Sequence, residues 1–174
     1  KVVLVTGARQ VGKTTVLKQH LGSAFDYVTM EDPAAYAQAK TDAVLFFEMR
    51  SLPLIIDEVQ RVPELFSTVK WIVDQSDQRG RIVLTGSQTY HLMKGVSESL
   101  AGRIRIIEMS SLSLREIVGS AGAPHKYVPS MCKKQGVETP ESFDLWRHIH
   151  RGSMPELQDS SIDWDAFYTD YVRA

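Results

Sequence analysis

Along the first two thirds of the chain, short apolar runs alternate with stretches whose apolar positions recur at helical spacing. The candidate strands are Val2–Thr6, Tyr27–Met30, Leu54–Asp57, Ile82–Thr85 and Ile104–Glu108. Most are apolar at consecutive positions, the pattern of central strands covered on both faces. A helix predicted from Lys13 carries Val16, Leu17 and Leu21 to one side. A second opens at Pro63 and carries Leu65, Phe66, Val69, Ile72 and Val73 inward before Arg79-Gly80 ends it. Asp32-Pro33 starts one or two short helices within residues 33–50. Strand and helix in alternation predict an α/β fold, a parallel sheet flanked by helices.

After Leu114 the periodicity stops. Gly119, Gly122, Pro124, Pro129 and Gly136 punctuate a long loop or insertion, and helical spacing returns from Pro140 with Phe143, Trp146 and Ile149. A break at Arg151-Gly152-Ser153-Met154-Pro155 precedes a last stripe of Trp164, Phe167, Tyr168, Tyr171 and Val172. That stripe meets the C-terminus without a stop signal, and Lys1, which is not a Met, leads straight into the first strand. The chain is therefore expected to be a piece of a longer protein. Its 174 residues suit one domain, and its 20 Lys and Arg against 21 Asp and Glu do not describe a strongly basic nucleic-acid module. No apolar run approaches the roughly 20 residues that cross a bilayer. A single Cys and the lack of a leader-like segment point to a reducing cytoplasm.

The chemistry concentrates at Gly7-Ala8-Arg9-Gln10-Val11-Gly12-Lys13-Thr14, a full G-x-x-x-x-G-K-[ST] pattern lying between a strand and a helix start. Glycines let successive backbone N–H groups turn toward a phosphate, and the helix N-terminus adds its positive dipole end. Lys13 is then expected to reach the β- and γ-phosphates, and the Thr14 hydroxyl to ligate Mg²⁺. A second element, Leu54-Ile55-Ile56-Asp57-Glu58, is an apolar strand ending in two acids. Asp57 suits the metal, through water, and Glu58 suits a general base for the attacking water. Read alone, that segment is also a strand ending in two solvated acids. The adjacent Glu favours hydrolysis over nucleotide-kinase chemistry, and no Asn/Thr-Lys-x-Asp element supports guanine, so ATP is expected.

A third element, Val83-Leu84-Thr85-Gly86-Ser87-Gln88, ends in small polar residues. Ser87 or Gln88 would sense the γ-phosphate if this strand lies between the other two; otherwise it is an ordinary strand-to-turn passage. Arg103 precedes the last strand and is a candidate to stabilise transition-state charge in a neighbouring subunit, ahead of Arg105 and Arg9. His125 and Cys132 fit no usual zinc spacing, His148 and His150 add nothing to it, and Lys133-Lys134 reads as a solvated face.

Together, Thr6 to Thr15, the run Asp57-Glu58-Val59-Gln60-Arg61-Val62-Pro63, Leu84 to Gln88 and Ser97-Glu98-Ser99-Leu100-Ala101-Gly102-Arg103 resemble a family of prokaryotic AAA-like ATPases. These are ATP-binding proteins of the AAA+ superfamily, usually followed by a C-terminal domain of unknown role. The resemblance spans residues 1–118 and implies a P-loop NTPase three-layer sandwich. Its five-stranded parallel sheet would have the order 5-1-4-3-2, with the nucleotide contacts extending to Thr15. It also implies a partial C-terminal helical lid in 119–174, where Gly152-Ser153-Met154-Pro155-Glu156 matches a Gly-Gly-Tyr-Pro-Glu segment at Gly, Pro and Glu. Pro155 would then lie near the base or ribose. The expectation is an Mg²⁺-dependent ATPase, possible homo-oligomers supplying Arg103 in trans, and no membrane. Two alternatives stay open: a nucleotide-gated switch with little turnover, and the motor part of a helicase-like protein whose DNA contacts lie elsewhere.

Overall fold

The computed structural model describes residues 1–87, 90–119 and 139–173. Gln88, His125, Cys132, Lys133 and Lys134 lie outside the described residues, as does most of the stretch punctuated by Gly and Pro. The chain divides into two compact units, Lys1–Ser110 and Ser111–Ala174.

In the first unit the strands are β1 (Val2–Gly7), β2 (Asp26–Thr29), β3 (Leu54–Asp57), β4 (Ile82–Ser87) and β5 (Ile104–Glu108). They form one parallel sheet in the order β2-β3-β4-β1-β5, which read from the other edge is the order that the resemblance implies. The connecting helices are α1 (Lys13–Leu21), α2 (Pro33–Thr41), α3 (Ala43–Glu48), α4 (Leu65–Asp74) and α5 (Tyr90–Ser99). Because strand side chains alternate between faces, consecutive apolar residues build two cores. Leu4, Ile56 and Leu84 meet Phe46, Leu65 and Phe66 of α3 and α4 on one face. Val5, Ile55 and Val83 meet Leu17 of α1 on the other.

Two helix ends show local chemistry at work. Asp32 caps α2 by accepting from Ala34 N–H, and Asp42 stops α2 and starts α3 by accepting from Val44 and Leu45 N–H. Helix α4 is shorter than its apolar spacing suggests. Leu65 and Phe66 N–H bond to Val62 and Pro63 carbonyls in tight three-residue turns before the helix starts. Beyond its end, Ser76 Oγ accepts from Gln78 N–H at 3.1 Å, a local turn that competes with helical continuation.

The second unit contains α6 (Leu114–Ile117), α7 (Leu145–Arg151), a 3-10 turn Glu156–Gln158 and α8 (Trp164–Arg173). Asp144 caps α7 by accepting from Arg147 N–H. The Arg151 guanidinium donates to the carbonyls of Leu157, Asp159 and Ile162, tying the segment after α7 together. Trp146 and Ile149, on the helical spacing of α7, are exposed.

Candidate functional site

The C-terminal ends of β1, β3 and β4 lie side by side, because β4 pairs with both of the others. This edge of a parallel sheet is where ligands bind in such folds. Gly7 leaves β1 with φ +148°, and a Cβ placed there would overlap the Met109 carbonyl oxygen. Only glycine lets the chain turn so close to β5. Ala8, Arg9 and Gln10 are exposed at the turn, Gln10 with φ +61°, while Val11 is buried and pins the loop from below. Gly12, at φ +95°, is the N-cap of α1, and it brings no side-chain cap. The first N–H groups of a helix have no intrahelical partner, so those of α1 are available to an anion. Thr15 is exposed in that first turn.

Lys13 is buried, and its Nζ donates to the Gly7 and Ala8 carbonyls at 3.1 and 2.6 Å. Burial holds its ammonium below the usual lysine range, while the charges of Glu58 and Asp57 pull it back up and Arg9 lowers it further. Both acids therefore face the loop lysine electrostatically.

Asp57 is 5% exposed and receives hydroxyl donors from three different elements. Thr14 Oγ1 donates to Oδ2 at 2.9 Å, Tyr27 Oη donates to the same oxygen at 2.8 Å, and Thr85 Oγ1 donates to Oδ1. Burial, then the hydrogen bond and charge of Asp57, raises the Tyr27 phenol above its ordinary range, so it remains a donor. Glu58 follows with φ +55°, its N–H held by Thr85 Oγ1 at 3.3 Å and its carboxylate accepting from Gln60 Nε2. The Thr14 hydroxyl and the Asp57 carboxylate form an all-oxygen set, one carboxylate and one hydroxyl. It fits a hard divalent cation held by the hydroxyl and, through water, by the carboxylate, with water and phosphate as the other ligands. Ser87 lies opposite Gly7 in the β1–β4 register, and its Oγ is buried without a hydrogen-bond partner. An unsatisfied buried hydroxyl costs about 1–3 kcal/mol, which a ligand oxygen would relieve.

A family profile for the AAA domain matches residues 1–118. The chain belongs to the AAA domain family. It is thus a nucleotide-binding domain of P-loop NTPase type. Uncharacterized proteins of Mycobacterium tuberculosis and Mycobacterium bovis are each 37% identical to it over 120 residues, covering 69% of this chain and 27% of theirs. The AAA domain thus spans about a quarter of the length of these relatives. An unliganded sugar kinase structure from Janibacter sp. superposes at a TM-score of 0.34 with 16% identity, over 94% of this chain and 93% of that one. Likeness at that level carries no conclusion.

Arg103 is expected to act on a neighbouring subunit, and within its own chain it stands apart from this site of the AAA domain. Arg103 lies at the opposite edge of the sheet, where its carbonyl accepts from Val2 N–H. The length of β1 separates it from Gly7, about 16 Å at 3.3 Å per residue. Its Nε pairs with Asp74 at 2.7 Å and its Nη1 donates to Ala101 O. Pro155 belongs to the second unit, where it precedes the turn Glu156–Gln158. Three residues of the AAA domain site carried no sequence-based expectation: Tyr27, Thr85 and Gln60. Thr85 left a signal, a polar residue inside an otherwise buried apolar strand. Tyr27 left none, since its reach to Asp57 depends on β2 lying beside β3. Among the described residues no group of three or more His, Cys, Asp or Glu could hold a metal ion. Among them, too, no helix is long and apolar enough to cross a membrane.

Proposed function

We propose that this AAA domain binds ATP with Mg²⁺ and hydrolyses it. The observation that carries the reading is the 2.9 Å bond between Thr14 and Asp57, 43 residues apart in sequence, at the mouth of the Gly7–Lys13 loop. It joins the end of β3 to the start of α1 beside the phosphate loop. Loop N–H groups from Ala8 to Thr15 cradle the phosphates, and Lys13 leaves the Gly7 and Ala8 carbonyls for the β- and γ-oxygens. Thr14 and, through water, Asp57 would hold the Mg²⁺, which would supply charge neutralisation at the phosphate oxygens. Glu58 takes a proton from the attacking water, and Ser87 donates its free hydroxyl toward the γ-phosphate.

Arg103 would act from a neighbouring subunit, exchanging Asp74 for phosphate, and Pro155 would approach the base from a lid formed by residues 119–174 beyond a 1–118 core. A cytoplasmic setting, and whatever protein or DNA the rest of the chain engages, belong to the same reading. The test is turnover measured as phosphate release, with Mg²⁺ and with chelator. Glu58→Gln should lose about 100-fold or more in kcat while still binding ATP, and Lys13→Ala should lose tight ATP binding. Unchanged turnover in Glu58→Gln sinks the base assignment, and normal affinity in Lys13→Ala sinks the phosphate loop.

One observation favours a second reading, a nucleotide-gated switch with little turnover. The Gln60 amide donates to Glu58 Oε2 and so fixes the orientation of the carboxylate, which serves as a base only where a free lone pair meets the attacking water. Equal and near-background rates for the wild type and Glu58→Gln, with ATP binding intact in both, would select it.

A further inference from the structure

The peptide that joins Asp57 to Glu58 is held at both ends. Its carbonyl accepts from Met30 N–H, just past β2, at 2.9 Å, and its N–H donates to Thr85 Oγ1 of β4 at 3.3 Å. Strands β3 and β4 pair in register from Leu54 opposite Ile82 to Ile56 opposite Leu84, and there the backbone ladder ends. Thr85, the next residue of β4, continues the hold with its side chain. A hydroxyl has one proton to give and two lone pairs to receive with. The Thr85 proton is committed to Asp57 Oδ1, so a lone pair of the same oxygen meets Glu58 N–H. Thr85 is 0% exposed, so bulk water does not compete for that hydroxyl.

Glu58 needs such a hold. Its backbone is left-handed, φ +55° and ψ +42°, a region that L residues avoid, and it opens the 3-10 turn Val59–Arg61 without a side-chain cap. That turn decides where the Glu58 side chain starts, and the Gln60 amide then steers its carboxylate. Burial lowers the Lys13 pKa, and of the charges that oppose this Glu58 outweighs Asp57, so the pinned residue faces the phosphate loop. A general base acts only where its lone pair meets the proton it removes, within about 2.6–3.2 Å. A peptide plane that rocks carries the carboxylate with it. We propose that Thr85 is a positioning residue for hydrolysis: its hydroxyl, oriented by Asp57, fixes the Asp57–Glu58 peptide and so aims the Glu58 carboxylate at the attacking water. This rests on the reading of Glu58 as the base.

The experiment measures kcat by phosphate release at saturating ATP and Mg²⁺, and affinity for a fluorescent ATP analogue, in the whole protein. Thr85→Val keeps the branched shape and removes the hydroxyl. Its kcat should fall about 10- to 100-fold, the range for losing a group that orients a reacting one, while the analogue still binds. Thr85→Ser should restore most of the turnover. Thr85→Cys, a poor hydrogen-bonder of similar bulk, should stay below Thr85→Ser even if Thr85→Val does not fold. In a Glu58→Gln background Thr85→Val should cost little more, because a residue that acts through Glu58 has nothing left to aim. An equal fractional loss in that background means that Thr85 acts through Asp57 or through the fold, and overturns the role. So does turnover in Thr85→Val or Thr85→Cys that equals that of Thr85→Ser. No turnover in the wild type, or unchanged turnover in Glu58→Gln, overturns the base reading itself and this role with it.

Discussion

Replacing Gly7 by Ala tests whether the phosphate loop owes its shape to one close backbone approach. At φ +148° an L residue is strained, and strain of this kind costs about 1–3 kcal/mol. The added methyl would also overlap the Met109 carbonyl oxygen and come within 3.1 Å of its carbon. The obstacle is backbone, so it cannot swing aside as a side chain would. Relief requires β1 and the end of β5 to part, and that movement stretches the 2.7 Å bond from Met109 N–H to the Thr6 carbonyl. Overpacking of this sort adds about 1–3 kcal/mol. The sum, about 2–6 kcal/mol, is a large share of the 5–15 kcal/mol that typically holds a domain together.

Gly80→Ala is the control. Gly80 also has positive φ, +71°, but a Cβ there meets nothing within 4 Å. Its cost should be about 1–2 kcal/mol, the left-handed penalty alone. Urea unfolding followed by circular dichroism gives both values, provided the slope of the transition is unchanged. The expected result is Gly7→Ala less stable than Gly80→Ala by at least about 1 kcal/mol, with ATP binding lost only in the former. Equal destabilisation by the two substitutions would falsify the claim that Met109 shapes the loop.

The role proposed for Arg103 has a mixing test. If a neighbouring subunit uses it, Arg103→Ala and Lys13→Ala proteins should each be nearly inactive, while their mixture regains turnover, because one supplies the site and the other the guanidinium. A mixture no more active than the sum of its parts removes Arg103 from the mechanism. In the second unit, Glu116 accepts from Ser113 N–H and Oγ at 2.7 Å, and these bonds, the backbone one first, hold its carboxyl below the usual glutamate range. Their contribution to stability is therefore present above the unfolded pKa and fades as pH falls through the lower folded one. Glu116 is exposed, so the effect on stability is small, about 0.5 kcal/mol or less. Carboxyl titration by NMR should show the Glu116 midpoint rising part of the way toward the ordinary value in Ser113→Ala, which keeps the backbone bond, and an unmoved midpoint would remove the Ser113 hydroxyl as a cause.

Much of this protein was legible before any tertiary contact was known, where the cause is local. Leu54–Asp57 is a strand to the residue, because a buried parallel strand needs consecutive apolar side chains, and the bounds of Ile104–Glu108 match too, although it is an edge strand exposed along most of its length. Helix α1 begins at Lys13, inside the phosphate-loop pattern, and Asp32 announces a helix start because its side chain bonds the Ala34 N–H. The juxtaposition of Thr14 and Asp57 followed once the two motifs were assigned to one sheet. The turn beyond the end of α4, Ser76 Oγ accepting from Gln78 N–H, is local as well, though apolar spacing does not register it. Two things were decided only by the folded chain. Arg103 came to the far edge of the sheet, beside Val2 and Asp74, because a residue that precedes a parallel strand sits at the opposite end from one that follows it. The hydroxyls around Asp57 come from β2, β4 and α1, elements brought together only by strand order. Sequence pattern thus determined the elements and the chemistry that each carries at its ends. The partners of the central carboxylate are long-range contacts that only the packed sheet creates.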